Sequence, residues 1–275
     1  MNAPSTVTST FSRVAAIQMV STPIVRENLD AASQLIRKAA ESGARLVALP
    51  EYFCFMGQKD HDKLAIRETD GTGPIQEFLS SQASQHGIFV VGGTLPLVSP
   101  DAARVYNTSL VYGPDGKRLA RYDKIHLFNF KRGTESYDES IAIRPGAEVR
   151  TVDTPFAKVG LSVCYDLRFP ELYRALGTVD LILVPAAFTY TTGKAHWELL
   201  LRTRAIENQC YVLAPAQGGV HPNGRRTWGH SMLVDPWGDI VDVLPEGPGV
   251  VAGNIDSTRL SDVRAALPAL RHRVM

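Results

Sequence analysis

Cysteine is scarce in this chain. Cys54, Cys164 and Cys210 are the only three, an odd number, and none sits in a Cys-x-x-Cys pair. That usage suits a reducing compartment and argues against both a disulfide framework and a structural zinc site. Charge of one sign is missing too. Lys and Arg number 29 against 28 Asp and Glu, a formal net charge of +1. No strong field exists to draw nucleic acid or an anionic membrane surface. No apolar run approaches the ~20 residues of a membrane span. Residues 1–10 are polar and lack the basic stretch and apolar run of a signal peptide. The expectation is a soluble, cytoplasmic protein with no nucleic-acid or membrane partner. Residues 1–11 read as a loose tail and 12–275 as a single domain.

What is present is an ordinary globular composition, 44% hydrophobic over 275 residues, enough for a large core. Short apolar runs over 14–19, 45–49, 88–95, 159–163, 181–184 and 211–214 read as strands. They are continuously apolar rather than alternating, as strands covered on both faces are. Helices are expected over 28–41, 75–86 and 197–208. Pro114-Asp115-Gly116-Lys117 and Pro236-Trp237-Gly238 read as hairpin turns. Together these predict an α/β fold with mixed sheets.

Chemistry in such sheets gathers past the carboxyl ends of strands. Two of these ends carry reactive groups, Glu51 after 45–49 and Cys164 after 159–163. A free cysteine is more often an inert core residue. Cys164 differs by its place, just before a helix start at Pro170-Glu171, where a helix terminus and a cation would favour the thiolate. Glu51 is a strand-end carboxylate or a general base. Proton transfer from a thiol at about 8.5 to a glutamate at about 4.3 is uphill, so a cation must stand close. Lys124 is the candidate, although a lysine ending a hairpin strand is more often at the surface. Glu139 by itself is a loop carboxylate. Read bottom-up, the residues give a Cys–Glu pair and no more.

Four segments in order resemble the nitrilase, or carbon–nitrogen hydrolase, superfamily. They are Leu49-Pro50-Glu51, Tyr122-Asp123-Lys124-Ile125-His126, Glu139-Ser140 with Pro145-Gly146, and Gly160-Leu161-Ser162-Val163-Cys164-Tyr165-Asp166. The resemblance implies a four-layer αββα sandwich that assembles as a homodimer or larger homo-oligomer. It implies Cys164 as nucleophile, Glu51 as general base, Lys124 and the backbone N–H of Tyr165 around the oxyanion, and Glu139 holding Lys124. It requires no metal or organic cofactor. Arg202-Thr203-Arg204-Ala205-Ile206-Glu207-Asn208 and Gly229-His230-Ser231-Met232 are similar to the Nit subgroup of amidases. That subgroup cleaves the terminal amide of a 2-oxoglutaryl group, as deaminated glutathione amidases and omega-amidases do. The segment from Cys164 to Leu172 leans toward the first type.

Such a substrate carries a carboxylate that a cation should meet. Arg168, Arg204 and the loop pair Lys131 and Arg132 are candidates, and His196 is placed at the pocket or at a helix start. A papain-like pairing of Cys164 with His126 or His230 would leave Glu51 unexplained. Thr191-Thr192-Gly193-Lys194 lacks the first Gly and the final Ser or Thr of a phosphate loop. Nitriles, N-carbamoyl amino acids and a non-catalytic scaffold are the alternatives.

Overall fold

A computed structural model describes residues 11–133 and 135–274. Residues 1–10 of the expected tail lie outside the described residues, and Phe11 already opens the first strand.

The front half runs β1 (Phe11–Gln18), α1 (Val25–Glu41), β2 (Leu46–Ala48), α2 (Pro74–His86), β3 (Phe89–Val91), β4 (Leu95–Val98), β5 (Val105–Tyr112) and β6 (Arg118–Asp123). A ribbon of β7 (Asn129–Arg132) and β8 (Glu135–Asp138) follows, then β9 (Ile143–Arg144). The back half runs β10 (Thr151–Thr154), β11 (Ala157–Leu161), α3 (Pro170–Ala175), β12 (Leu181–Leu183), α4 (Tyr190–Asn208) and β13 (Tyr211–Ala214). A second ribbon, β14 (Gly218–Val220) and β15 (Arg226–Trp228), precedes β16 (Ser231–Val234) and β17 (Ile240–Leu244). The chain ends in β18 (Gly249–Asp256) and α5 (Ser257–Ala266).

Two sheets form. One follows the order β18-β1-β2-β3-β5-β4, with β6 and β9 added on β5; the other follows β10-β11-β12-β13-β16-β17. Each is parallel at its centre, β1-β2-β3 and β11-β12-β13, and antiparallel at its flanks except for the short β9, which runs parallel to β5. Both are therefore mixed, as expected.

The period-two direction of side chains sorts the layers. Val14, Ala16, Leu46, Ala48 and Val91 share a buried cluster with Val159, Leu161, Leu181 and Leu183 of the second sheet. The alternate residues Ala15, Ile17, Val47 and Val90 pack instead with Ala32 and Ile36 of α1 and Ile75 and Leu79 of α2. Trp197, Leu201 and Ala205 of α4 cover the second sheet from outside. The result is helices, sheet, sheet, helices. Both faces of each central strand are buried, which is why those strands read as continuous apolar runs.

Two boundaries differ from expectation. The run 88–95 is two strands, broken where Gly93 takes φ +47. The helix expected from 197 begins at Tyr190, because Thr189 caps it by accepting the Thr192 N–H at 3.4 Å. Gly193 lets that first turn lie on Trp228, whose Cβ would stand 2.3 Å from an added methyl.

Candidate active site

The parallel strands of both sheets end at one side of the sandwich, and the chemistry collects there. Glu51 sits just past β2. The corner that holds it rests on Gly93, where a Cβ would lie 2.0 Å from the Pro50 carbonyl oxygen. Cys164 sits just past β11. It adopts φ 50, and Tyr52 after Glu51 adopts φ 57; both are left-handed conformations that a side chain disfavours. The Cys164 N–H donates to Pro185 O at 2.9 Å, tying the cysteine's turn to the end of β12.

Lys124 follows β6 and is completely buried, not a surface lysine. Its Nζ donates to Glu51 Oε1 at 2.9 Å and to both oxygens of Glu139, at 2.9 and 2.7 Å. Glu51 also accepts from Asn107 Nδ2 and from the Ala187 N–H, each at 2.9 Å. The Cys164 thiol lines the same cavity as this carboxylate, whose charge acts on it. Glu139 stands in a single helical turn after β8. It accepts the Tyr52 hydroxyl at 2.8 Å and the Phe128 N–H at 2.7 Å. Glu51 and Glu139 thus meet at Lys124, and both line one cavity with Cys164.

Their charges follow from these contacts. Burial opposes charge on Lys124, but Glu139 and Glu51 outweigh it, and the ammonium is held protonated well beyond its usual range. Burial likewise opposes charge on Glu139, yet Lys124 and its hydrogen bonds bring that carboxyl below its ordinary value. Cys164 corrects an expectation. Burial first, and Glu51 second, push its thiol well up, and Lys124 only partly offsets them. The resting group is a thiol. The helix start beside the thiol is only a short 3-10 turn, Cys164–Arg168, and α3 begins at Pro170, six residues on.

Asp166 holds the turn that carries Cys164. Buried beneath it, the carboxylate accepts from the Val163 N–H at 2.8 Å, the Tyr122 hydroxyl at 2.7 Å and the His126 N–H at 3.0 Å, and the His126 ring Nδ1 lies 2.7 Å away. His126 is therefore structural, stacked on Phe169 at 3.7 Å. His230 is engaged elsewhere, with Nδ1 at 2.9 Å from Trp228 O.

Of the expected substrate contacts, Arg168 lies over the rings of Tyr165 and Phe188, at 5.7 and 5.4 Å, and both rings line the cavity at Cys164. Exposed His196 stands beside it, 3.3 Å away. Arg204 is a correction. Its guanidinium donates to Leu167 O at 3.1 and 2.8 Å, pairs with Glu207 at 2.6 Å and covers the ring of Tyr173, so it is spent on joining α4 to the loop before α3. Lys131 and Arg132 are exposed on β7. Sequence reasoning missed Asn107, Tyr52, Asp166 and, at the cavity wall, Arg225.

A carbon–nitrogen hydrolase family model matches residues 13–265. A deaminated glutathione amidase of Synechocystis sp. is 45% identical over 267 residues, covering 94% of this chain and 97% of that protein. Omega-amidase NIT2 of Xenopus tropicalis is 38% identical over 268 residues, covering 95% and 94%. The crystal structure of the C. elegans NitFhit protein superposes with a TM-score of 0.88 at 39% identity, over 96% of this chain; the chain spans 65% of NitFhit. The matching model, these relatives and the cysteine-centred constellation agree: the chain belongs to the carbon–nitrogen hydrolase family.

Proposed function

We propose that the enzyme hydrolyses the amide of a 2-oxo dicarboxylic acid, with deaminated glutathione the leading substrate, through a thioester on Cys164. The observation that carries the reaction is Glu51, hydrogen-bonded to the Lys124 ammonium and lining one small cavity with the Cys164 thiol. The similarity to deaminated glutathione amidase carries the substrate.

A neutral resting thiol needs its base at the moment of attack. Glu51 takes the Sγ proton as sulfur adds to the carbonyl carbon. The oxyanion lies between Lys124 Nζ and the Tyr165 N–H. Glu51 returns the proton to the departing amine, and the thioester remains. Glu51 then takes a proton from water as that water attacks, the C–S bond breaks, Glu51 returns the proton to Cys164 Sγ, and the acid departs. Glu139 positions Lys124 and does not exchange protons with substrate. Arg168, on the Tyr165 and Phe188 rings, takes the carboxylate beside the 2-oxo group, with His196 at its flank.

We also propose a homodimer. Leu199 and Ile206, seven residues apart on one face of α4, are 65% and 50% exposed, and neighbouring Trp237 is 52% exposed. Such an apolar patch is suited to a second copy.

The test is release of 2-oxoglutarate from deaminated glutathione and from 2-oxoglutaramate in parallel, with Cys164→Ala as the blank. Faster release from the first supports the proposal. Faster release from the second makes the protein an omega-amidase. Release from neither moves the substrate to other amides, carbamoyl compounds or nitriles.

A further inference from the structure

The cavity at Cys164 is small, about 10 Å³ of free volume, room for about one water. A groove of about 380 Å³ adjoins it, and Arg225 lines both. Tyr52, Lys59, Lys63, Tyr137 and Asn223 form much of the groove's remaining wall. Its cations are Lys59, Lys63 and Arg225; its carboxylate is Asp60.

Arg225 is pinned in place. Its N–H donates to Asn223 Oδ1 at 2.9 Å, Nη2 donates to Ala187 O at 3.3 Å, and the guanidinium covers the Tyr137 ring at 5.1 Å. Asn223 in turn donates to Gly57 O at 2.6 Å, closing the groove across its floor. Nevertheless the Arg225 Nε is buried without a hydrogen-bond partner, and no carboxylate among the described residues pairs with Arg225 or with Lys63. Lys63 lies over the Tyr52 ring at 5.3 Å. Burial lowers its ammonium from the ordinary value, with Glu139 and Asp60 acting against that fall. Two partly desolvated cations facing one groove are a place for an anion.

We infer that this groove is the subsite for the leaving group, and that it recognises an amine bearing a carboxylate, such as a peptide C-terminus. The inference rests on the proposed amidase reading and deepens it. The groove opens on the side of the general acid: Tyr52 follows Glu51, and Arg225 bonds the carbonyl of Ala187, whose N–H holds Glu51. Glu51 delivers its proton to the leaving amine, so that amine departs on this side. The acyl group remains on sulfur beside Tyr165 and Phe188, on the Arg168 side. Ammonia as leaving group would need neither the space nor the cations.

The test compares 2-oxoglutaryl amides of the dipeptide Ala-Gly and of Ala-Gly C-terminal amide. The wild-type enzyme should favour the acid by at least tenfold in kcat/KM. Arg225→Gln and Lys63→Gln should each collapse that ratio toward one, mainly through KM. Equal use of both by wild-type enzyme, or an unchanged ratio in both variants, overturns the inference. A second measurement is independent of the acyl group: protection of Cys164 from iodoacetamide by Ala-Gly against its C-terminal amide. Stronger protection by the acid, lost in Arg225→Gln, supports the groove even where no 2-oxoglutaryl amide is turned over. Equal protection refutes it.

Discussion

Lys124 shows how closely function and stability are joined at single residues. Its ammonium, with no solvent exposure, lies between two carboxylates at 2.7–2.9 Å. Removing one member of a buried ionic cluster leaves the others uncompensated, at about 3–5 kcal/mol. Lys124→Met should therefore lower Tm by roughly 10 °C as well as abolish turnover. Calorimetry decides it: a Tm within about 2 °C of wild type would show that the carboxylates need no cation. At this scale the sequence was only partly legible. The Glu51 and Cys164 positions stood out at strand ends, and Lys124 and Glu139 became readable through family resemblance. Asn107 and the Ala187 N–H did not, because they reach Glu51 from 56 and 136 residues away along the chain. Arg204 misled because a helix-face arginine reads the same whether it meets substrate or a backbone carbonyl. Arg225 lies in a polar turn whose composition gives no sign of what it faces.

Among the elements, the strand ends set the geometry, and glycines let the backbone approach. At Gly93 an added Cβ meets Pro50 O at 2.0 Å and Leu49 O at 2.8 Å, both backbone atoms that cannot turn aside. Gly93→Ala should displace the corner carrying Glu51, reducing kcat/KM by more than tenfold together with a fall in Tm. Gly43→Ala is the control. Gly43 has φ +88 with nothing within 4 Å, so that change should cost only about 1 kcal/mol of backbone strain and leave kcat/KM within about twofold. If the two variants behave alike in steady-state kinetics, close approach at Gly93 is not what places Glu51. The buried central strands were legible because both their faces are apolar. The β7–β8 ribbon leading to Glu139 was not, since its side chains are mostly exposed or half-buried and show no apolar pattern. Helix α4 was read seven residues short because Thr191-Thr192-Gly193-Lys194 shows no apolar face, and the cap at Thr189 that starts the helix lies ahead of it.

For the whole molecule, the layered order is the consequence of strands that bury two faces, and the exposed face of α4 is the part still uncovered. Leu199→Asp combined with Ile206→Asp should convert a dimer to a folded monomer. Sedimentation velocity would read the mass, and circular dichroism the retained fold. A wild-type protein that sediments as a monomer at micromolar concentration would remove the dimer proposal.

The closing strand has a consequence for synthesis. All eight residues of β1, from Phe11 to Gln18, pair with β18, from Asp256 back to Gly249. Within the domain, the first strand therefore gains this partner only after nearly all the others have been made. A nascent or truncated chain ending before Gly249 already holds Cys164, yet exposes β1 as an unpaired edge, a template for aggregation and a mark for proteolysis. A copy lacking β18 should therefore be digested faster than the full chain in limited proteolysis, rather than persisting as a stray thiol with half a pocket.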